Sequence, residues 1–246
     1  MQKSFIQIML EEMAAVEKIT TIAEKLFLSL LSKLKYFEGP LDSFDDGASP
    51  SANLMLKLHE AVWVHRKISQ VLWIPFLRRH ADTITSSLKN YITYTNFILC
   101  NTVFYMRNPY DKLIATCSII TAIAELSVEK GKQEFSDCSS RVFEVFFEKF
   151  LKRPFEKRGG WQFLEEYILK QRYLKWYSNK EIWPNYYKTE ENLQQELKFA
   201  ECVHLKARND VKGYFFPVDS NQNGVESNSE ISKLTVEVME RISPVS

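Results

Sequence analysis

Hydrophobic residues recur every three or four positions along most of this chain. The first segment shows the pattern best, with apolar residues in one stripe at Ile6, Met9, Met13, Val16, Thr20, Ala23, Phe27, Leu30 and Leu34. Because this spacing brings the side chains to one face of a helix, it predicts a long core helix near the start of the chain.

Proline and glycine divide the middle of the chain into further predicted helices. The predicted ranges are 50–82, 84–107 and 109–129. The first of them should be one helix or two, because Pro75 is expected to kink or end the segment. Asn108 and Pro109 supply a turn between the other two, and Gly131 closes the last one.

The next predicted helix, over about residues 133–178, contains residues that oppose helix formation. Pro154 lies within it, and Gly159 and Gly160 follow shortly afterwards. An interior proline costs a helix roughly 3 kcal/mol and an interior glycine about 1 kcal/mol relative to alanine. Some feature of the structure or the function must therefore compensate for them. The segment TEENLQQELKFAECVHLKARND then predicts a last body helix.

The composition agrees with a helical fold. The chain has only 7 glycines in 246 residues, and no hairpin dipeptide lies between alternating apolar runs. We predict an all-α fold, an elongated bundle of long helices over residues 1–212. Residues 213–246 are predicted to be a polar linker and a poorly ordered C-terminal segment, in which ISKLTVEVMERI is either a short docking helix or without order.

Charge and motif content narrow the function. With 32 Lys and Arg against 31 Asp and Glu, the whole chain has no general attraction to nucleic acid or acidic membranes. The four cysteines and four histidines lack metal-ligand spacing, and no phosphate-binding glycine loop or GxSxG turn occurs. We therefore expect no metal, no cofactor and no nucleic-acid partner, and a protein that acts through a binding surface.

Membrane and secretion signals are not predicted. The most apolar later run, residues 114–126, is well short of the ~20 residues that span a bilayer. The apolar segment near the N-terminus follows several glutamates, whereas a signal peptide begins with basic residues. A cytoplasmic protein without a membrane span is expected.

Three stretches, in order, resemble the Dbl-homology domain, the catalytic module of Rho-family guanine nucleotide exchange factors. EMAAVEKITTIAEKL resembles the opening helix of that domain, and Glu17 matches its glutamate. FLKRPFEKRGGWQFLEEY is similar to its proline-containing long helix. TEENLQQELKFAECVHLKARND resembles its last body helix, and Asn209 matches its asparagine. The resemblance covers roughly residues 4–212.

This resemblance implies an exchange factor that grips the switch segments of a Rho-family GTPase. A protein that binds the nucleotide-free GTPase more tightly must weaken nucleotide binding by the same factor, so no covalent step is needed. The implied catalytic residues are Glu17 and Asn209. The implied partner-binding residues are Lys157, Arg158, Gly160 and Trp161.

The chain departs from that family at its glycine pair. Gly160 stands where the family has a lysine that contacts the GTPase, and Gly159 also replaces a larger residue. In one interpretation the glycines let a GTPase backbone approach closely and Arg158 replaces the lysine. In the other, the fold persists as a scaffold that binds a GTPase or another partner without exchange.

The segment RGGWQFLEEY also resembles the second homology motif of Bcl-2-like helical proteins. In that family Gly-Gly-Trp lies at a turn between helices, and the fold offers a groove to an amphipathic peptide. The chain lacks an NWGR-like segment upstream and a C-terminal membrane anchor, which speaks against this family. The two resemblances differ at Gly159: an exchange factor should have one continuous helix there, and a Bcl-2-like globule should turn.

Overall fold

The computed structural model describes residues 26–27, 52–103, 106–178 and 228–242. Of these residues 88% are helical and none forms a strand, so the predicted all-α fold is confirmed. The elongated shape of the bundle stays a prediction. The helices are α1 Ala52–Arg79, α2 Ala81–Ile84, α3 Leu88–Val103, α4 Pro109–Glu129, α5 Gln133–Asp137, α6 Ser139–Phe146, α7 Lys152–Lys157, α8 Gly160–Lys170, α9 Tyr173–Ser178 and α10 Asn228–Ile242, and a π-helical turn Phe147–Leu151 joins α6 to α7.

Helix α4 is the centre of the described structure. It contacts α1, α3, α5, α6, the π-helical turn and α7, and its buried residues lie on all sides of the helix. A helix that is apolar all round belongs in a core. The hydroxyls of its two buried threonines are satisfied within the helix: Thr116 donates to the carbonyl of Lys112 at 2.7 Å and Thr121 to the carbonyl of Cys117 at 2.8 Å.

Both ends of α4 lie where the sequence predicts them. The Asn108 side chain accepts a hydrogen bond from the amide of Tyr110 at 2.9 Å, and Pro109 occupies the first helical position, where no amide hydrogen is needed. At the other end Gly131 has a φ of +72°, and its amide donates to the carbonyl of Val128 at 2.9 Å. A glycine in this left-handed conformation is a common helix stop.

Helix α1 is one helix, because it continues past Pro75 to Arg79. Proline removes a single helical hydrogen bond, and the helix packs on α4, α8 and α9. Its buried stripe includes Leu58 and Val62, which are 1% and 0% exposed. Tertiary packing thus stabilises a continuous helix where the sequence allowed either one helix or two.

Helices α1 and α4 also share an ion pair in the core. The guanidinium of Arg66 contacts the carboxylate of Glu125, and the two side chains are only 5% and 16% exposed. Sequence spacing gives no sign of this pair, because its partners lie on different helices.

Two further described segments contribute to the core. Leu26 and Phe27 are helical and buried, and the Phe27 ring meets Phe143 edge-on at 6.1 Å between centroids. Phe27 of the predicted first stripe is therefore a core residue. Asn228–Ile242 forms a helix that packs on α3 and α6, so the docking helix, and not a poorly ordered segment, is observed there. No helix in the described ranges is long and apolar enough to cross a bilayer.

We expect Glu125→Ala to lower the free energy of unfolding by about 3–5 kcal/mol, because it leaves the Arg66 guanidinium buried without its carboxylate. The matched control is Asp82→Ala, which removes an exposed pair with Lys130 at 2.7 Å and should cost no more than about 1 kcal/mol. Urea unfolding followed by circular dichroism measures both. Equal losses in the two variants would contradict a buried pair.

Candidate functional site

The prediction of one continuous helix over residues 133–178 is wrong. Five helices and a π-helical turn occupy this range, from α5 to α9. The sharpest break follows Lys157, where Gly159 has a φ of +110° and Gly160 a φ of +59°. Residues with a Cβ rarely adopt such values, and a right-handed helix cannot continue through them. The two glycines therefore form a turn between α7 and α8, here called the glycine turn (residues 158–160).

Pro154 is accommodated by a change of helix type. The π-helical turn Phe147–Leu151 comes just before it, and α7 begins at Lys152. Pro154 is thus the third residue of α7, and the change of helix type comes just before the residue that has no amide hydrogen to donate. A π-helical turn is a known irregularity within α-helices.

Hydrogen bonds fasten the glycine turn to its surroundings. The amide of Gly159 donates to the carbonyl of Glu156 at 2.9 Å. The hydroxyl of Tyr110 donates to the backbone carbonyl of Arg158 at 2.9 Å. Because Tyr110 lies in the first turn of α4, this second bond ties the glycine turn to the central helix.

An aromatic cluster supports the turn from inside, formed by Tyr110, Phe147, Phe155, Trp161 and Tyr167. The Trp161 ring stacks on Phe147 at 6.0 Å with an angle of 17°, and it meets Phe155 edge-on at 4.8 Å. Such pairs add roughly 0.5–1.5 kcal/mol each beyond the burial of their area. Trp161 is therefore held against the core by its neighbours.

A partly buried carboxylate links α4 to the helices after the turn. The Tyr167 hydroxyl donates to Asp111 Oδ1 at 2.6 Å, and Tyr173 also hydrogen-bonds this carboxylate. Burial raises the pKa of Asp111 above its usual range, although the two hydrogen bonds oppose the rise. Burial, with the neighbouring Asp111, likewise raises the pKa of Tyr167.

The outer side of the glycine turn combines positive charge with an apolar ring. Lys157 and Arg158 are exposed to solvent, and Phe163 is 49% exposed. A Cβ atom placed on Gly159 would lie 2.3 Å from Phe163 Cδ2, so this ring lies directly over the glycine backbone. Lys157, Arg158, the two glycines and Phe163 are called the turn surface below.

The predicted partner-binding residues lie together at this turn. Lys157 and Arg158 face solvent, Gly160 begins α8, and Trp161 packs into the aromatic cluster. The predicted catalytic residues, Glu17 and Asn209, lie outside the described residues. In the described ranges no group of three or more His, Cys, Asp or Glu side chains is arranged to hold a metal ion.

Sequence reasoning missed Phe163, Tyr110 and Tyr167. Phe163 gives no sequence signal, because an aromatic residue in an amphipathic helix is more often a core residue. The hydrogen bonds of the two tyrosines join residues that are 48 and 56 positions apart in the chain. Only the position of Tyr110 beside the helix start at Asn108 could have singled it out.

Alanine at the two glycines should have unequal costs. Gly160→Ala should lower the free energy of unfolding by about 1–2 kcal/mol, since the new Cβ adds only the left-handed strain; its nearest neighbour, Phe155 Cε1, would be 3.9 Å away. Gly159→Ala should cost at least about 1 kcal/mol more, because its Cβ also overlaps the Phe163 ring.

A double-mutant cycle in urea unfolding separates the two causes. In a Phe163→Ala background, Gly159→Ala should lose the part of its cost that comes from overlap and keep the part that comes from φ. The structure would be contradicted at this turn if both glycines were replaced by alanine without loss.

The carboxylate of Asp111 should make stability depend on pH. Because folding raises its pKa above the ordinary value of 3.8, the folded state holds this proton more tightly, and its contribution to stability falls as the pH rises from that value through the folded pKa. Asp111→Asn keeps an oxygen acceptor for Tyr167 and should remove this decline in urea unfolding from pH 3 upward. Asp82→Asn, an exposed control, should keep it, and an identical profile for both variants would exclude Asp111 as its source.

Comparison of the chain with protein-family models, with curated proteins and with solved structures found no match. The two family resemblances are therefore supported only by the sequence motifs quoted above. They imply different structures at the glycine turn: a continuous helix for the exchange factor and a turn for the Bcl-2-like protein.

Proposed function

We propose that this chain is a binding module of the Bcl-2-like type, which receives an amphipathic helix of a partner protein on its surface. The observation that carries the proposal is the break in the helix at Gly159 and Gly160. Gly-Gly-Trp at a turn between two helices is what the Bcl-2-like resemblance implies, and one continuous helix is what the exchange-factor resemblance implies. The φ values of +110° and +59° favour the first.

The surroundings of the turn add support. The central helix α4 is covered by helices, as in a globule built around one apolar helix. Trp161, next to the glycines, anchors the turn on Phe147 and Phe155. This leaves the residues on the outer side of the turn available for contact.

The turn surface suggests how a partner helix is recognised. Phe163 offers an apolar ring that is 49% exposed, and the exposed cations Lys157 and Arg158 precede it by six and five positions, across the glycine turn. An amphipathic helix fits this surface when its apolar side chains meet the ring and an acidic residue pairs with a cation. Arginine and aromatic residues are also the types that most often dominate binding energy at interfaces.

Guanine nucleotide exchange on a Rho-family GTPase stays a prediction. Its two catalytic residues, Glu17 and Asn209, lie outside the described ranges, and the continuous helix expected for it is not observed. No contact among the described residues specifically supports a scaffold that binds a GTPase without exchange.

The proposal predicts saturable binding of fluorescein-labelled peptides that carry the amphipathic helix recognised by Bcl-2-like proteins, measured by fluorescence anisotropy. Phe163→Ala and Arg158→Glu should each weaken binding by about tenfold or more, because they remove the apolar and the charged contact. Leu169→Ala is the matched control on the same helix, since Leu169 is 51% exposed and lies outside the turn surface. It should leave the affinity unchanged.

Two results would contradict the proposal. The first is no binding to any peptide of the panel by the folded chain. The second is accelerated release of fluorescent nucleotide from Rho, Rac or Cdc42, lost in Glu17→Ala or Asn209→Ala, which would establish the exchange factor instead.

A further inference from the structure

The part of the chain around the glycine turn is more basic than the chain as a whole. Residues 147–178 contain eight Lys and Arg against four Glu, whereas the whole chain has 32 Lys and Arg against 31 Asp and Glu. Six of the eight cations lie in the range from Lys149 to Lys170. A local excess of positive charge attracts an anionic partner most strongly where the cations have no partner within their own chain.

Three of those six cations have a carboxylate partner. The paired atoms are Lys149 Nζ with Glu240 Oε1 at 3.4 Å, Lys152 Nζ with Glu148 Oε2 at 2.8 Å, and Lys170 Nζ with Glu166 Oε2 at 3.4 Å. The other three, Arg153, Lys157 and Arg158, are exposed and form no ion pair within the part of the chain that the structure describes. The unpaired positive charge is therefore concentrated in α7 and at the start of the glycine turn.

Helix geometry directs two of these cations away from the core. Phe155 of α7 is buried, at 1% exposed. At 3.6 residues per turn, Arg153 and Lys157, two positions before and after it, each lie about 160° from it around the helix axis. They are one turn apart from each other, so their Cβ atoms are about 5–6 Å apart. The outer face of α7 therefore presents two cations with the spacing of neighbouring side chains on a helix.

An exposed apolar ring lies at the end of this series of cations. Arg158 begins the glycine turn, and Gly159 follows it. A Cβ atom on Gly159 would lie 2.3 Å from Phe163 Cδ2, so the Phe163 ring covers the backbone of the residue next to Arg158. Because this ring is 49% exposed, one partner can contact it and the cations together.

We infer that Arg153, Lys157 and Arg158, here called the cation row, select partner helices that carry two glutamates one turn apart, in the pattern Glu-x-x-x-Glu. This inference rests on the function proposed above, and it names the partner of that site. Glutamates with this spacing have the same separation as Arg153 and Lys157, so each pairs with one cation while an apolar residue of the partner contacts Phe163. Arg153, which lies outside the turn surface, is then a specificity-determining residue.

Glu156 favours an acidic helix over a uniformly anionic surface. It is exposed on α7, between Arg153 and Lys157 in the sequence. The phosphates of a nucleic acid or of a lipid bilayer would meet this carboxylate together with the cations, and like charges brought together oppose binding. A partner helix can place an uncharged residue opposite Glu156. The surface therefore fits separate acidic side chains better than a continuous anionic one.

The test compares two fluorescein-labelled peptides with the same apolar face, by fluorescence anisotropy with the full chain. One carries Glu-x-x-x-Glu and the other Gln-x-x-x-Gln at the same positions. The wild-type chain should bind the Glu peptide about fivefold more tightly, because two exposed ion pairs each add a small contribution. In 1 M NaCl, where the Debye length is about 3 Å, this preference should fall below about twofold.

Charge reversal tests the cation row itself. Arg153→Glu should remove the preference for the Glu peptide, and Arg153→Glu combined with Lys157→Glu should bind a Lys-x-x-x-Lys peptide more tightly than the Glu peptide. The matched control is Lys175→Glu, which makes the same charge change at an exposed residue of α9 outside the cation row. It should keep the preference of the wild type. Circular dichroism verifies that each variant is folded.

The outcomes separate this inference from the function on which it rests. Equal affinity of the wild-type chain for the Glu and Gln peptides overturns the inference and leaves the proposed function standing. The same holds if Lys175→Glu removes the preference as fully as Arg153→Glu does. If the folded chain binds no peptide of any charge, both are overturned. Binding to vesicles of phosphatidylserine and phosphatidylcholine that Arg153→Glu abolishes, without a preference for the Glu peptide, would instead assign the cation row to a lipid surface.

Discussion

Burial of α4 on all its sides is the constraint on which the described structure depends. A helix with no solvent face must be covered from every direction, so each neighbouring helix has to present an apolar face to it. Helices α1, α3, α5, α6 and α7 and the π-helical turn all contact it. The long-range contacts of α4, such as Arg66 with Glu125 and Tyr110 with Arg158, then fix the register of these neighbours.

The same constraint explains why the chain turns at Gly159. Helix α7 packs on α4, whereas α8 and α9 pack on α1, and a straight continuation of α7 could not reach both. Two successive positive φ values change the direction within three residues, and only glycine adopts them at little cost. The backbone of the turn is held from inside by Tyr110 and Trp161. The backbone of Arg158 takes part in this anchoring, whereas Lys157 and Arg158 are both exposed residues, so we propose the outer side of this structural turn as a binding surface.

Local signals in the sequence predicted local structure well. The start of α4 at Pro109 and its stop at Gly131 follow from residue types that act on their own backbone. The prediction of one helix over residues 133–178 was wrong for the opposite reason. The apolar periodicity continues across the glycine turn, although the helical backbone is interrupted there. Periodicity reports which residues face a core; it does not report the sign of φ at a glycine. Contacts such as Asp111 with Tyr167 depend on the completed fold, and no spacing in the sequence encodes them.

The contact of α10 with the core and the proposed contact of a partner with the turn surface depend on different interactions. Burial of four side chains dominates the contact of α10, so its strength should respond little to salt. Two residues of the turn surface are exposed cations, so a partner there would gain from electrostatic attraction that ionic strength weakens. The first surface suits a helix that remains in place for long periods, and the second suits a partner whose binding is readily reversed. The core that holds α10 in place by apolar burial thus also fixes the turn on which we propose that a partner binds.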